Sequence, residues 1–251
     1  MFFRSKLFLA VVTAVALTGA AVGARAEPAK TVVLVHGAFA DGSSWAKVIP
    51  LLEAKGLKVV AIQNPLSSLD DDVAATRRAI EQAQGPVVLV GHSWAGMVIT
   101  QAGDDPKVKS LVYVAAFAPD AGQSLADLLS TAPAPAWASS LIEDSGHFLR
   151  LPPKVVLSDF AQDLPAAEAR IVAATEGPWA ARCQSDRPTR AAWRTRPAWF
   201  ILTGSDHMID PGLQARMAAH INATVVRTDA SHVVMLSQPR KVADAILAAV
   251  Q

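Results

Sequence analysis

Residues 86–96 read Pro-Val-Val-Leu-Val-Gly-His-Ser-Trp-Ala-Gly, and this stretch decides the fold. Val87 to Val90 is a short, unbroken, β-branched apolar run. That is the pattern of a strand buried on both faces. From Trp94 to Gln101 the pattern turns helical. Between the two stands Gly91-His92-Ser93-Trp94-Ala95, a G-x-S-x-G arrangement with Ala in its fifth position, still a small residue. A serine on a sharp strand-to-helix turn is thrust out at the end of its strand, and small neighbours let that turn form. A serine that merely caps a helix is the bland alternative.

Outward from this stretch the same alternation repeats. Thr31 to His36, Lys58 to Ile62, Ser110 to Val114, Ala198 to Thr203 and Thr224 to Arg227 read as further strands. Trp45 to Lys55 reads as a helix kinked at Pro50 and closed by Gly56. Asp70 to Ala83 is a helix with three aspartates in its first turn, where the helix dipole favours them. Asp210-Pro211 opens a helix to His220, with Asp as N-cap and Pro at the first helical position. Pro239 to Val250 closes the chain. Buried strands alternating with helices imply the α/β class, with a mostly parallel sheet covered by helices on both faces. From about 120 to 196 prolines punctuate short helical stretches and no clear strand is legible. That segment is expected to be a helical cap, inserted before the strand at Ala198. It would lie over the sheet's carboxyl edge, where open α/β sheets bind ligands.

Composition narrows the classes further. Of 251 residues, 51% are hydrophobic and 18% charged, enough apolar side chain for a core, which excludes a disordered chain. With 23 Lys+Arg against 22 Asp+Glu there is no basic excess, so a nucleic-acid partner is not expected. The arginines 182, 187, 190, 194 and 196 are interrupted by Asp186 and two prolines and read as a solvated surface. Residues 1–26 combine Arg4 and Lys6, an uncharged run from Leu7 to Ala24, and an Ala24-Arg25-Ala26 site. That is a secretory signal peptide; an uncleaved anchor is its rival. Cleavage would leave residues 27–251 as one domain, periplasmic or secreted, with no membrane partner. The chain would lose three basic residues and no acids, which turns the formal charge of +1 into −2. Cys183 is the single cysteine, so no internal disulfide forms.

A serine hydroxyl needs a base to become a nucleophile. Where serine leads in chain order, the acid and then the base follow. His147, His207, His220 and His232 lie downstream. His232 follows the last strand and precedes a helix, so it is the expected base. Asp206 directly follows the strand ending at Thr203 and is the expected orienting acid. Asp120 is the runner-up, and Asp210 is better explained as an N-cap. The developing oxyanion needs two donors. The backbone N–H groups of Trp94 and Ala38 are the expected pair, with Phe39 the alternative to Ala38. His36 and His92 read as structural. No H-E-x-x-H, cysteine pair or G-x-G-x-x-G occurs, so neither a metal nor any other cofactor is expected.

At this point the sequence resembles the α/β-hydrolase superfamily. More narrowly, it resembles bacterial esterase-like relatives of plant methyl-ester esterases and hydroxynitrile lyases. The resemblance rests on Val33-Leu-Val-His-Gly-Ala38, Trp45, Leu51-Leu-Glu-Ala-Lys-Gly56, Val88-Leu-Val-Gly-His-Ser93, Ala115-Ala-Phe-Ala-Pro-Asp120 and Ser231-His232. It implies an α/β-hydrolase fold with Ser93, Asp206 and His232 as the catalytic residues, and Ala38 and Trp94 as oxyanion donors. The lyases carry Thr after the histidine of the first loop and Lys after the catalytic histidine; here these are Gly37 and Val233. The expected activity is therefore hydrolysis of carboxylic esters with small to medium apolar groups. Phe39, Trp137, Phe148 and Trp179 are expected to line the pocket. A non-hydrolytic enzyme on the same residues (a lyase or a cofactor-free oxygenase) and a ligand-binding receptor are the alternative readings.

Overall fold

A computed structural model describes Met1, Phe2, Ala29 and residues 31–250. The expected signal peptide's basic and apolar stretches, and its cleavage site, lie outside the described residues. In chain order the body begins with β1 (Thr31–Val35), α1 (Ile49–Glu53), β2 (Lys58–Ala61), α2 (Leu69–Gln82), β3 (Val87–His92), α3 (Ala95–Ala102) and β4 (Val108–Val114). The inserted segment holds α4 (Leu125–Leu129), β5 (Ile142–Glu143), β6 (Phe148–Arg150), α5 (Pro153–Val155), α6 (Ala166–Thr175) and β7 (Trp179–Ala180). The body resumes with β8 (Ala198–Thr203), α7 (Pro211–His220), β9 (Thr224–Thr228), α8 (Val234–Ser237) and α9 (Pro239–Ala248).

Six strands form one parallel sheet in the order β2-β1-β3-β4-β8-β9. Consecutive residues of β1 and β3 are all buried, and since they point to alternate faces, both faces of the sheet are covered. Lys58–Ala61 and Thr224–Thr228 are the sheet edges, and there exposed and half-buried residues take over. No helix among the described residues is long and apolar enough to cross a membrane.

Two expectations are corrected. Pro50 does not kink a long helix. A 3-10 turn over Gly42–Trp45 ends first, and Pro50 stands in the first turn of α1. Those positions need no intrahelical N–H, so proline fits without a break. The inserted segment is also not purely helical. β5, β6 and β7 form a small antiparallel sheet. Strands of two or three residues are too short to show alternation, which is why the sequence pattern hid them.

One close approach makes a stability prediction. A Cβ on Gly96 would meet the carbonyl oxygen of Phe117 at 1.8 Å. Ala has the better helix propensity by about 1 kcal/mol, but the obstacle is backbone and cannot step aside. Gly96→Ala is therefore expected to cost about 3 kcal/mol, the upper end of ordinary overpacking. A urea unfolding curve checks it, and a midpoint equal to the parent's would contradict this packing.

Candidate active site

Because the six strands run parallel, their carboxyl ends lie at one edge, and each delivers a loop there. The loop after β1 carries Gly37, Ala38 and Phe39. Ser93 follows β3, Ala115 to Phe117 follow β4, Asp206 follows β8 and His232 follows β9.

Ser93 has φ 54°, the left-handed region that side chains usually avoid. Hydrogen bonds hold it there: its N–H donates to Val114 O (3.2 Å), and its carbonyl accepts from Gly96 N (3.0 Å) and Phe117 N (3.2 Å). A conformation this unfavourable persists only where its surroundings enforce it. Neighbouring glycines make room, for a Cβ on Gly37 would meet Ser93 Cβ at 2.7 Å.

Asp206 and His232 are both buried, and His232 Nδ1 donates to Asp206 Oδ2 at 2.9 Å. The same carboxylate oxygen accepts from Thr203 Oγ1 and Gln214 Nε2, each at 2.8 Å. Its other oxygen accepts from the N–H groups of Met208 (2.8 Å) and Ile209 (3.0 Å). Burial raises the carboxyl group's pKa, but the charge and hydrogen bond of His232, with the Ile209 and Thr203 donors, outweigh it and hold it below the usual value. Asp206 is thus an ionised acceptor fixed against the ring. Phe160 packs against the same ring, with centroids 5.1 Å apart.

Asp120 is engaged elsewhere. It accepts from Arg194 Nη2 (2.5 Å) and His220 Nε2 (2.9 Å), and it borders a separate open cleft of about 510 Å³ with Arg216 and His220. His147 pairs with Glu143, and His207 lies 3.5 Å from Asp159. Four arginines of the basic segment form ion pairs, among them Arg187 with Asp127 and Arg190 with Asp104, and Arg196 donates to the carbonyl of Asp105. His36 and His92 are structural. His36 Nε2 accepts from Asn64 N (2.8 Å) and Nδ1 donates to Gly37 O (2.9 Å), which pins the first loop. His92 Nε2 donates to the carbonyl of His232 (3.1 Å), and burial pushes its pKa well below the ordinary value, so it stays neutral.

A cavity of about 110 Å³ brings the expected residues together. Ala38, Phe39, Ser93, Trp94, Trp137, Trp179 and His232 all line it, and the rest of the lining is apolar except for Gln184. Phe148 does not line it, a correction with a clear cause. Cross-strand partners share a face, and Leu149 pairs with Trp179 while Phe148 pairs with Ala180. Phe148 therefore faces the opposite way from Trp179. Phe117, Phe160, Met208 and Ile209 line the cavity unforeseen. Phe117, Met208 and Ile209 could have been found, since they follow strands at the carboxyl edge. Phe160 ends a π-helical turn, Val156–Phe160, inside the insertion and gives no sequence signal.

Comparison with known proteins agrees with this architecture. The chain is 35% identical over 114 residues to a carbendazim hydrolyzing esterase of Nocardioides sp. (strain SG-4G), an alignment covering 40% of this chain and 47% of that protein. It is 39% identical over 106 residues to salicylic acid-binding protein 2 of Nicotiana tabacum, covering 36% and 41%. The chain thus spans less than half the length of these curated relatives. The crystal structure of polyneuridine aldehyde esterase superposes with a TM-score of 0.78 at 22% identity, covering 88% of this chain and 98% of that one, a likeness of fold. The sequence profile of the alpha/beta hydrolase family matches residues 32–245. Since that match runs from the first strand of the sheet into the last helix, the chain belongs to the alpha/beta hydrolase family.

Proposed function

We propose that the chain is an exported serine hydrolase that cleaves carboxylic esters of small to medium apolar groups through an acyl-enzyme. The observation that carries this reading is the shared cavity, onto which Ser93 and the Asp206-bound ring of His232 both open. Asp206 on Nδ1 fixes the tautomer that leaves His232 Nε2 free to accept a proton. Ser93 Oγ then attacks the ester carbonyl carbon while Nε2 takes its proton. The N–H groups of Ala38 and Trp94 donate to the resulting oxyanion. As the tetrahedral adduct collapses, His232 returns the proton to the leaving alcohol. Water, with His232 again as base, attacks the acyl-serine and releases the acid. Asp206 stays ionised throughout.

The apolar lining and the modest volume support neutral, small to medium groups. The esterase names of the relatives support the bond class. Val233, only 1% exposed, follows the base, so no cation stands there to receive a leaving anion, which weighs against a lyase. The test is stoichiometric labelling by an organophosphonate, together with turnover of a panel of chromogenic esters. Labelling without turnover of any ester would favour a non-hydrolytic enzyme. Neither labelling nor turnover would favour a binding protein.

Export has its own check. Protein recovered from the periplasm or medium is expected to begin at Glu27, as N-terminal sequencing would read. A start at Met1 in the membrane fraction would mean an anchor instead.

A further inference from the structure

Asp72 is a fully buried carboxylate that the proposed chemistry does not use. It lies in the first turn of α2, the helix that directly precedes β3 and the turn at Ser93. Its Oδ2 accepts from the indole Nε1 of Trp94 at 2.8 Å, and its Oδ1 accepts from Leu66 N at 2.7 Å. Both partners matter to the cavity. Trp94 is the residue after Ser93, is 1% exposed, and lines the cavity. Leu66 is held at φ 57°, and its carbonyl accepts from Ala180 N (2.8 Å), the residue after Trp179 in β7. Trp179 in turn packs on Trp94 with centroids 5.4 Å apart, and on Phe39 at 5.8 Å, edge to face. One carboxylate therefore ties the strand-to-helix turn at Ser93, the turn before α2 and the cap strand to one aromatic cluster.

Burial makes this group costly. It pushes the Asp72 pKa up to about 6, although the Trp94 and Leu66 hydrogen bonds oppose the shift. A tryptophan could be buried with far less expense by apolar neighbours, but it would then keep its freedom to tilt. A hydrogen bond to the indole N–H selects one orientation of the ring.

We propose that Asp72 is a positioning residue for substrate selection: by holding the indole of Trp94, it fixes the aromatic side of the cavity and limits the length of acyl group admitted. This rests on the esterase reading. The acyl group is the part of the substrate that becomes bonded to Ser93, so the side chain of the next residue bounds it. Released from Asp72, the indole can tilt and the cavity can deepen.

The test uses p-nitrophenyl acetate and p-nitrophenyl octanoate, with the kcat/KM ratio of octanoate to acetate as the readout. Disturbance of the Trp94 N–H donor would lower both esters alike and cancel in that ratio. Asp72→Leu removes the acceptor, and Trp94→Phe removes the donor while leaving Asp72 in place. Each is expected to raise the ratio about tenfold, the scale on which a hydrophobic pocket discriminates by size. In the Trp94→Phe background, Asp72→Leu is expected to change the ratio clearly less than it does in the parent, because only its hold on Leu66 remains to be lost. If Asp72→Leu does not fold, Asp72→Asn takes its place, since its one amide oxygen cannot serve both Trp94 Nε1 and Leu66 N as the two carboxylate oxygens do. A ratio within twofold of the parent's, or below it, overturns the proposal, as do independent multiplicative effects in the double variant. Phosphonates with ethyl and octyl chains, read by intact mass, separate the two levels. A parent chain that neither labels nor turns over overturns the esterase reading and this proposal with it. A parent that does both, with variants that keep its selectivity, overturns this proposal alone.

Discussion

Ser93→Ala is expected to lower ester turnover by more than a thousandfold, and by as much as about a millionfold, the scale on which loss of a nucleophile acts in a triad. The protein should unfold at close to the parent's midpoint. The backbone turn at residue 93 is held by Val114, Gly96 and Phe117 through main-chain groups, none of which the substitution removes. Alanine tolerates φ 54° no worse than serine does, and the lost hydroxyl belongs to a cavity rather than a packed core. Steady-state assays on one chromogenic ester and a thermal melt decide it. Organophosphonate labelling should vanish with turnover. Retention of more than about a thousandth of the activity would remove Ser93 from the mechanism.

Asp206→Asn is expected to cut turnover by about four orders of magnitude. An amide can present its N–H₂ to His232 and so favour the tautomer with the proton on the wrong nitrogen. The substitution also removes the charge that stabilises a protonated ring. Asp120→Asn is the paired control. Its carboxylate serves Arg194 and His220 on another cleft, and exposed pairs of that kind contribute little, so most activity should survive. If Asp120→Asn were the dead enzyme and Asp206→Asn the active one, the acid assignment would be wrong while the serine mechanism stood.

Those residues were legible because their signals are local. The central strands betrayed themselves as continuous apolar runs, since burial on both faces removes alternation, and the edge strands β2 and β9 as short β-branched runs. Ser93, Asp206 and His232 each follow such a run within a few residues, so the parallel sheet alone brings them to one edge. What stayed hidden depends on contacts between distant segments. The direction of Phe148 is set by its register against Ala180, which no composition reveals. The tether from Asp72 to Trp94 joins two elements through side chains, and among three consecutive aspartates nothing marks the third as the buried one. Asp70 to Asp72 read as a dipole-friendly cluster; helical rotation turns only Asp72 inward.

The order of the strands also bears on how the chain reaches its folded state. β1 to β4 can pair as soon as residue 114 is available, which completes the serine's half of the edge. β4 must then wait for Ala198, its partner opposite Leu111, and β9 closes the sheet only afterwards. The intervening loop adds little to the equilibrium cost, because closure entropy grows slowly with length. Pairing across such separations is nevertheless slow. This sets a sequence of events: Asp206 and His232 reach the carboxyl edge last, after β8 and β9 have docked, so Ser93 is in place before its neighbours at that edge.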